Sequence, residues 1–234
     1  SPHGEHNTTP KKNNEYVISG GQQSAIEINK VLRNTYFLLS MTLIFSGVTA
    51  GLTMAANLPA PGIVLFLVGM FGLSFLTSSL RNSAWGLVAI FAFTGFMGYA
   101  LGPILNMYLH AYANGGQIIM TALGGTGIIF LGLSAYTLTT RKDFSYMGGF
   151  LFVAILTAFV AGIGAALFNI PMLSLLVSAA FVLISSGLIL FHTSQIIHGG
   201  ERNYIMATIS LYVALFNHFL SLLNILGALS GNRN

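Results

Sequence analysis

Five carboxylates, six histidines and no cysteine carry nearly all the proton-transfer and metal-binding chemistry open to this 234-residue chain. Two of those histidines, His192 and His218, fall inside long apolar runs, whereas Asp143 and Glu201 sit in polar breaks. An ionisable residue in an apolar run marks a functional site by default. An imidazole also changes charge near neutral pH, with an ordinary pKa of about 6.5. His192 is therefore the first candidate for pH sensing or gating, and His218 the second. The plainer reading of each is a neutral ring bonded to a carbonyl or hydroxyl.

A polar seam accompanies them. Ala207, Ser210, Ala214, Asn217, Ser221, Asn224 and Ala228 recur at alternating spacings of three and four, which is one face of a helix. Leu211, Leu215, Phe219, Leu222 and Leu226 cover the other faces. The preceding apolar run has a similar face in Ser174, Ser178, Ser185, His192 and Gln195. The connection HGGERNY (residues 198–204) is short enough to make the two helices antiparallel neighbours. It sets His192 opposite residues 210–214. Amides and hydroxyls bonding across membrane helices contribute about 0.6 to 2 kcal/mol each, so the seam serves packing first.

Other chemistries lack parts. Without cysteine there is no disulfide, thiolate site or thiol nucleophile. Neither His-Glu-x-x-His nor the phosphate-binding Gly-x-x-x-x-Gly-Lys occurs. Ser134, in Gly-Leu-Ser-Ala, together with His192 superficially resembles an intramembrane serine protease. However, Ala135 follows the serine where such proteases carry glycine, and a nucleophile must meet its base within hydrogen-bond reach. No catalytic residue, cofactor or metal site is expected, and the protein reads as non-enzymatic.

The elements that must position these residues are membrane helices. The chain is 54% hydrophobic and only 6% charged, against roughly a quarter charged in soluble domains. Apolar runs near 34–56, 61–80, 84–109, 117–139, 146–168, 171–197 and 204–228 each approach the roughly 20 residues a bilayer crossing needs. Pro59 and Pro61, Asn114 with two glycines, and Asn169 to Pro171 separate them. The expectation is an all-α polytopic protein of seven transmembrane helices over residues 31–234, preceded by a disordered polar tail at residues 1–30. That tail has no apolar core to mark a cleavable signal. Gly47 with Gly51 and Gly98 with Gly102 are close-approach pairs that support packing.

Basic residues set orientation. Lys11, Lys12, Lys30 and Arg33 precede the first span, and Arg81, Arg141, Lys142 and Arg202 lie in every second connection. The intervening connections carry none, which places the N-terminus in the cytoplasm and the C-terminus outside, Arg233 being a mild exception. Nine basic residues spread this way make no nucleic-acid footprint. An odd span count with no visible internal repeat argues against an inverted-repeat transporter.

Four segments carry a family likeness: LRNTYFLLS (32–40), FTGFMGYALGPIL (93–105), SAYTLTTRKDFSYMGG (134–149) and HTSQIIHGGERNYI (192–205). With them the chain resembles the bacterial YccA-type branch of the Bax-inhibitor membrane family, from about residue 32 to 227. The resemblance implies a bundle with the last helix central and six around it. It further implies an inner-membrane partner of FtsH, the membrane-anchored ATP-dependent protease, restraining its degradation of membrane proteins while the cytoplasmic tail is engaged. Other members are associated with pH-sensitive leakage of calcium or protons through two acidic residues in the last two spans, which supplies the alternative function. Those positions align here with His192 and Ala214. Calcium takes six to eight oxygen ligands, so this departure weighs against calcium and leaves a proton leak through His192. The expected partners are the lipid bilayer and FtsH. Oligomeric state is not set by the sequence.

Overall fold

The structure is a computed structural model that describes residues 11–231, with side chains from residue 24 onward. Among the described residues the chain forms seven α-helices and one 3-10 turn: α1 (Lys11–Ala55), α2 (Ile63–Ser79), α3 (Trp85–Ala111), α4 (Gly115–Thr140), the turn Ser145–Met147, α5 (Gly148–Phe168), α6 (Pro171–Ile197) and α7 (Tyr204–Gly231). Six of them, with α1 counted from Ser24, are long and apolar enough to cross a membrane, and α2 is a shorter apolar helix of 17 residues.

The breaks have local causes. Asn57 and Asn169 end their helices in the left-handed region, at φ 52° each, where asparagine is tolerated better than most residues. Pro171 then starts α6 at a position where its missing N–H costs nothing. Arg141 ends α4 in the same left-handed conformation, its N–H donating to the Thr137 carbonyl.

Composition predicts no ordered structure through residue 30, yet α1 is continuous from Lys11. Extending an existing helix adds one hydrogen bond per residue fixed, without the cost of a new nucleus. Ala25, Glu27, Lys30 and Leu32 are good helix formers, so the span nucleates what the polar segment would not form alone. Residues 1–10 lie outside the described residues.

Packing is uneven. α7 touches α1, α2, α3, α4 and α6, whereas α5 packs only on α6 and the adjoining 3-10 turn. The main core gathers Leu39, Ile90, Phe93, Ile189, Leu211 and Tyr212 around α7. Large apolar side chains on α2 and α5, including Phe71, Phe75, Phe150 and Phe168, are exposed. Such a surface suits hydrocarbon rather than water. Between α1 and α3 the backbones meet closely at Gly98 and Gly102: a Cβ on either would collide with Ser46, Thr49, Ala50 or Thr53 of α1. Gly47 and Gly51, the other pair, have open space above them.

Candidate functional site

The α6–α7 turn decides what His192 meets. Gly199 adopts φ 77°, which lets the chain reverse after α6. The Glu201 N–H then donates back to the Gln195 carbonyl (3.0 Å). Asn203 caps α7, its Oδ1 accepting from the N–H groups of Ile205 (3.0 Å) and Met206 (3.1 Å). Its Nδ2 donates to the Arg81 carbonyl (3.0 Å) and Asn82 Oδ1 (3.1 Å), so one side chain fixes the start of α7 to the α2–α3 connection. Glu201 Oε1 accepts the Asn203 N–H (3.0 Å).

With that register His192, Gln195, Glu201 and Ser210 line one cavity of about 220 Å³. His192 also walls a second, of about 430 Å³, reaching Ser74 on α2 and Phe152 on α5. The sequence reading finds no acidic partner for His192 inside the spans. The structure adds Glu201 of the turn to the wall of the same cavity, brought there by a glycine-dependent reversal that spacing alone does not reveal, with no hydrogen bond or ion pair to His192 among the described residues. An imidazole, a carboxylate, an amide and a hydroxyl around one cavity can accept, hold and release a proton. Among the described residues no group of three or more His, Cys, Asp or Glu could hold a metal ion.

The remaining seam residues do not join this cavity. Asn224 Nδ2 donates to Ser178 Oγ (2.6 Å), tying the far ends of α7 and α6. Ser185 is buried but donates to the Phe181 carbonyl of its own helix (2.5 Å). Ser221 is buried and Asn217 half-buried. His218, 1% exposed, lies on a different face, with its Nδ1 at 3.0 Å from Thr126 Oγ1 of α4. Its Nε2 has no hydrogen-bond partner among the described residues. The two histidines thus belong to separate places. Ser134 Oγ is buried without a hydrogen-bond partner among the described residues, and neither His192 nor His218 is bonded to it.

Sequence reasoning missed Tyr212. Its hydroxyl shares a 2.6 Å hydrogen bond with Ser46 of α1 and donates to the Thr94 carbonyl of α3 (3.5 Å). Its ring stands edge-on to Phe93, with centroids 5.9 Å apart. One turn earlier, Thr208 Oγ1 donates to the Tyr204 carbonyl (2.7 Å) and to the Thr35 carbonyl of α1 (3.3 Å). The spacing of four between Thr208 and Tyr212 was available as a signal. Tyr212, Ser46 and Thr126 also line an apolar cavity of about 360 Å³ between α1 and α4, whose backbones stand apart and which meet through the rings of Tyr36 and Phe130, with centroids 6.0 Å apart.

Beside α6, the α4–α5 connection is held by Ser194. Its Oγ accepts the Phe144 N–H (2.8 Å) and donates to the Lys142 carbonyl (3.3 Å). Asp143 Oδ1 accepts the Ser145 N–H (2.9 Å), and this backbone bond holds its carboxyl below the ordinary 3.8. Lys142 stands over the Tyr136 ring at 5.7 Å, and hydrogen bonding to Tyr136 raises its pKa.

The family model described as "Inhibitor of apoptosis-promoting Bax1" matches residues 28–231. The chain is 54% identical over 209 residues to the Escherichia coli protein named "Modulator of FtsH protease YccA", covering 89% of this chain and 94% of that one. It is 53% identical over 218 residues to an uncharacterized Pseudomonas aeruginosa protein, covering 93% and 98% of the two chains. A Vibrio cholerae protein described as an uncharacterized membrane protein is 48% identical over 218 residues, covering 93% and 97%. The chain belongs to the Bax-inhibitor membrane family, in its bacterial YccA-type branch.

Proposed function

We propose that this protein is an integral inner-membrane modulator that binds the ATP-dependent protease FtsH and restrains its degradation of membrane proteins. The observation that carries this reading is the 54% identity, over 89% of the chain, to a protein named for modulating FtsH. In this reading the seven helices all cross the bilayer, with α7 in the middle, a placement supported by its contacts with five of the other six. The N-terminus lies in the cytoplasm and the C-terminus in the periplasm, supported by the basic residues Lys30, Arg33, Arg81, Arg141, Lys142 and Arg202 at alternate connections. The N-terminal segment, residues 1–30, is the part offered to the protease.

Pull-down of FtsH with the full chain and with residues 1–30 deleted, alongside degradation of a reporter membrane substrate, tests this. Binding with slowed degradation, weakened by the deletion, is the expected result. No binding by either form would overturn the modulator reading.

A second reading is a pH-dependent proton leak gated by His192, favoured by the cavity His192 shares with Gln195, Glu201 and Ser210. His218, bonded to Thr126, is the secondary gating residue. Proton flux into liposomes that rises on acidification and is lost in His192→Ala is expected. Flux unchanged by that substitution would remove His192 from the mechanism.

A further inference from the structure

At the end of the bundle, between α1 and the α6–α7 turn, lies a cavity of about 320 Å³ whose wall carries four charged side chains: Glu27, Lys30, Glu201 and Arg202. Val31 and Ile196 supply part of its apolar lining. Glu27 and Lys30 sit one to two turns before the apolar run that begins near residue 34, and Glu201 and Arg202 occupy the connection between two other apolar helices. The cavity is therefore at the boundary between hydrocarbon and water, whichever side of the membrane it faces.

Its formal charge sums to zero from two carboxylates and two cations. Arg202 Nη1 lies 3.8 Å from Glu27 Oε2, with both side chains mostly exposed. A pair so long and so solvated contributes little by itself, and its groups are open to a ligand bearing both signs. Among the described residues Lys30 and Glu201 have no ion-pair partner. A purely anionic headgroup would meet two carboxylates here, and a purely cationic one two basic groups. A headgroup with a phosphate and a primary ammonium a few bonds apart satisfies all four.

We infer that this cavity binds the phosphoethanolamine headgroup of a bilayer phospholipid, with the phosphate on Lys30 and Arg202, the ammonium on Glu27 and Glu201, and the glycerol end over Val31 and Ile196. The ammonium N–H groups donate to carboxylate oxygens, which the trimethylated ammonium of a choline headgroup cannot do. Glu201 also lines the His192 cavity, so an ammonium there shares its carboxylate with that site.

The test is native mass spectrometry of the full chain, released from bilayers that contain phosphatidylethanolamine, phosphatidylcholine and phosphatidylglycerol of equal acyl composition. Phosphatidylethanolamine should be retained several-fold over both others. Lys30→Gln should reduce that retention, and Glu27→Gln should abolish the preference over phosphatidylcholine, with thermal unfolding in detergent confirming that both variants are folded. Equal retention of the ethanolamine and choline lipids, a preference for phosphatidylglycerol, or retention unchanged in folded Lys30→Gln would overturn the assignment. Soluble glycerophosphoethanolamine is titrated in parallel: binding of it with no lipid retained would make the ligand a soluble one and overturn the lipid assignment.

Discussion

The side of α7 that faces α1, α3 and α4 and the stretch that faces the end of α6 are built differently. On the first, three polar side chains of α7 reach partners on neighbouring helices, Thr208 the Thr35 carbonyl, Tyr212 Ser46 and His218 Thr126, while His218 Nε2 and Thr35 Oγ1 stay unpaired among the described residues. On the second, His192, Gln195 and Ser210 surround about 220 Å³ beside the turn, and no hydrogen bond joins them. In hydrocarbon an unpaired polar group has no water to turn to, so matched pairs make a rigid seam. The unbonded groups of the second stretch border the α6–α7 turn at the end of the bundle. The first side holds the helices together, and the second is where function can be added without dismantling them.

Removing the centre of the closed side should have the largest effect. Tyr212→Ala empties the volume between Phe93 and Phe216 and removes two hydrogen bonds, a loss of about 3 to 5 kcal/mol by analogy with large aromatic truncations. Reversible unfolding in mixed detergent would measure it. The same contrast between closed and open surfaces recurs on the glycines. Gly102→Leu forces α3 away from Thr53 and Ala50 at a cost of roughly 1 to 3 kcal/mol. Gly47→Leu meets open space and should leave stability unchanged. Equal damage from both would mean that α1 has a partner on its open side.

Tyr212→Phe isolates the hydroxyl and should cost about 1 kcal/mol. His192→Ala, on the open side and without a hydrogen bond among the described residues, should cost less than Tyr212→Phe. A larger loss for His192→Ala than for Tyr212→Phe would reverse the comparison. The smallest effect belongs to the α4–α5 connection beside the open side. Asp143 has a folded pKa below its ordinary value, so its contribution is complete above about pH 3.8 and fades as pH falls through the lower folded value. Asp143→Asn should melt slightly lower than wild type near neutral pH and converge with it as the pH falls below about 3.8. A gap that widens with acidification would contradict the Ser145 contact as the cause.

Much of the scaffold was legible because each apolar run ends at a residue with a physical reason to end it, such as Pro59, Asn169 or Pro171. The continuation of α1 below residue 34 was not, since a polar segment without periodicity gives no sign that a neighbouring span will propagate into it. Within the site, the meeting of His192 with Ser210 followed from counting back from a short turn. Glu201 was hidden because its direction depends on the left-handed Gly199 rather than on helical spacing. Tyr212 was hidden for another reason: an aromatic ring in an apolar helix reads as core, and only the fold shows that its hydroxyl has a serine to meet. His218 ranked second in sequence, yet it is the more deeply enclosed of the two histidines.

The 45 residues of α1 make one uninterrupted rod, about 67 Å long at 1.5 Å per residue. The hydrocarbon it crosses is only about 30 Å thick. Roughly half the rod therefore stands clear of the slab, and mechanically it is a lever. Its fulcrum is the close contact with α3 at Gly98 and Gly102. A sideways load on the outer arm turns into torque on α3, with Gly20 and Gly21 forming the segment of lowest bending stiffness along the way. Stiffening that segment with Gly20→Ala and Gly21→Ala would lengthen the arm that transmits force.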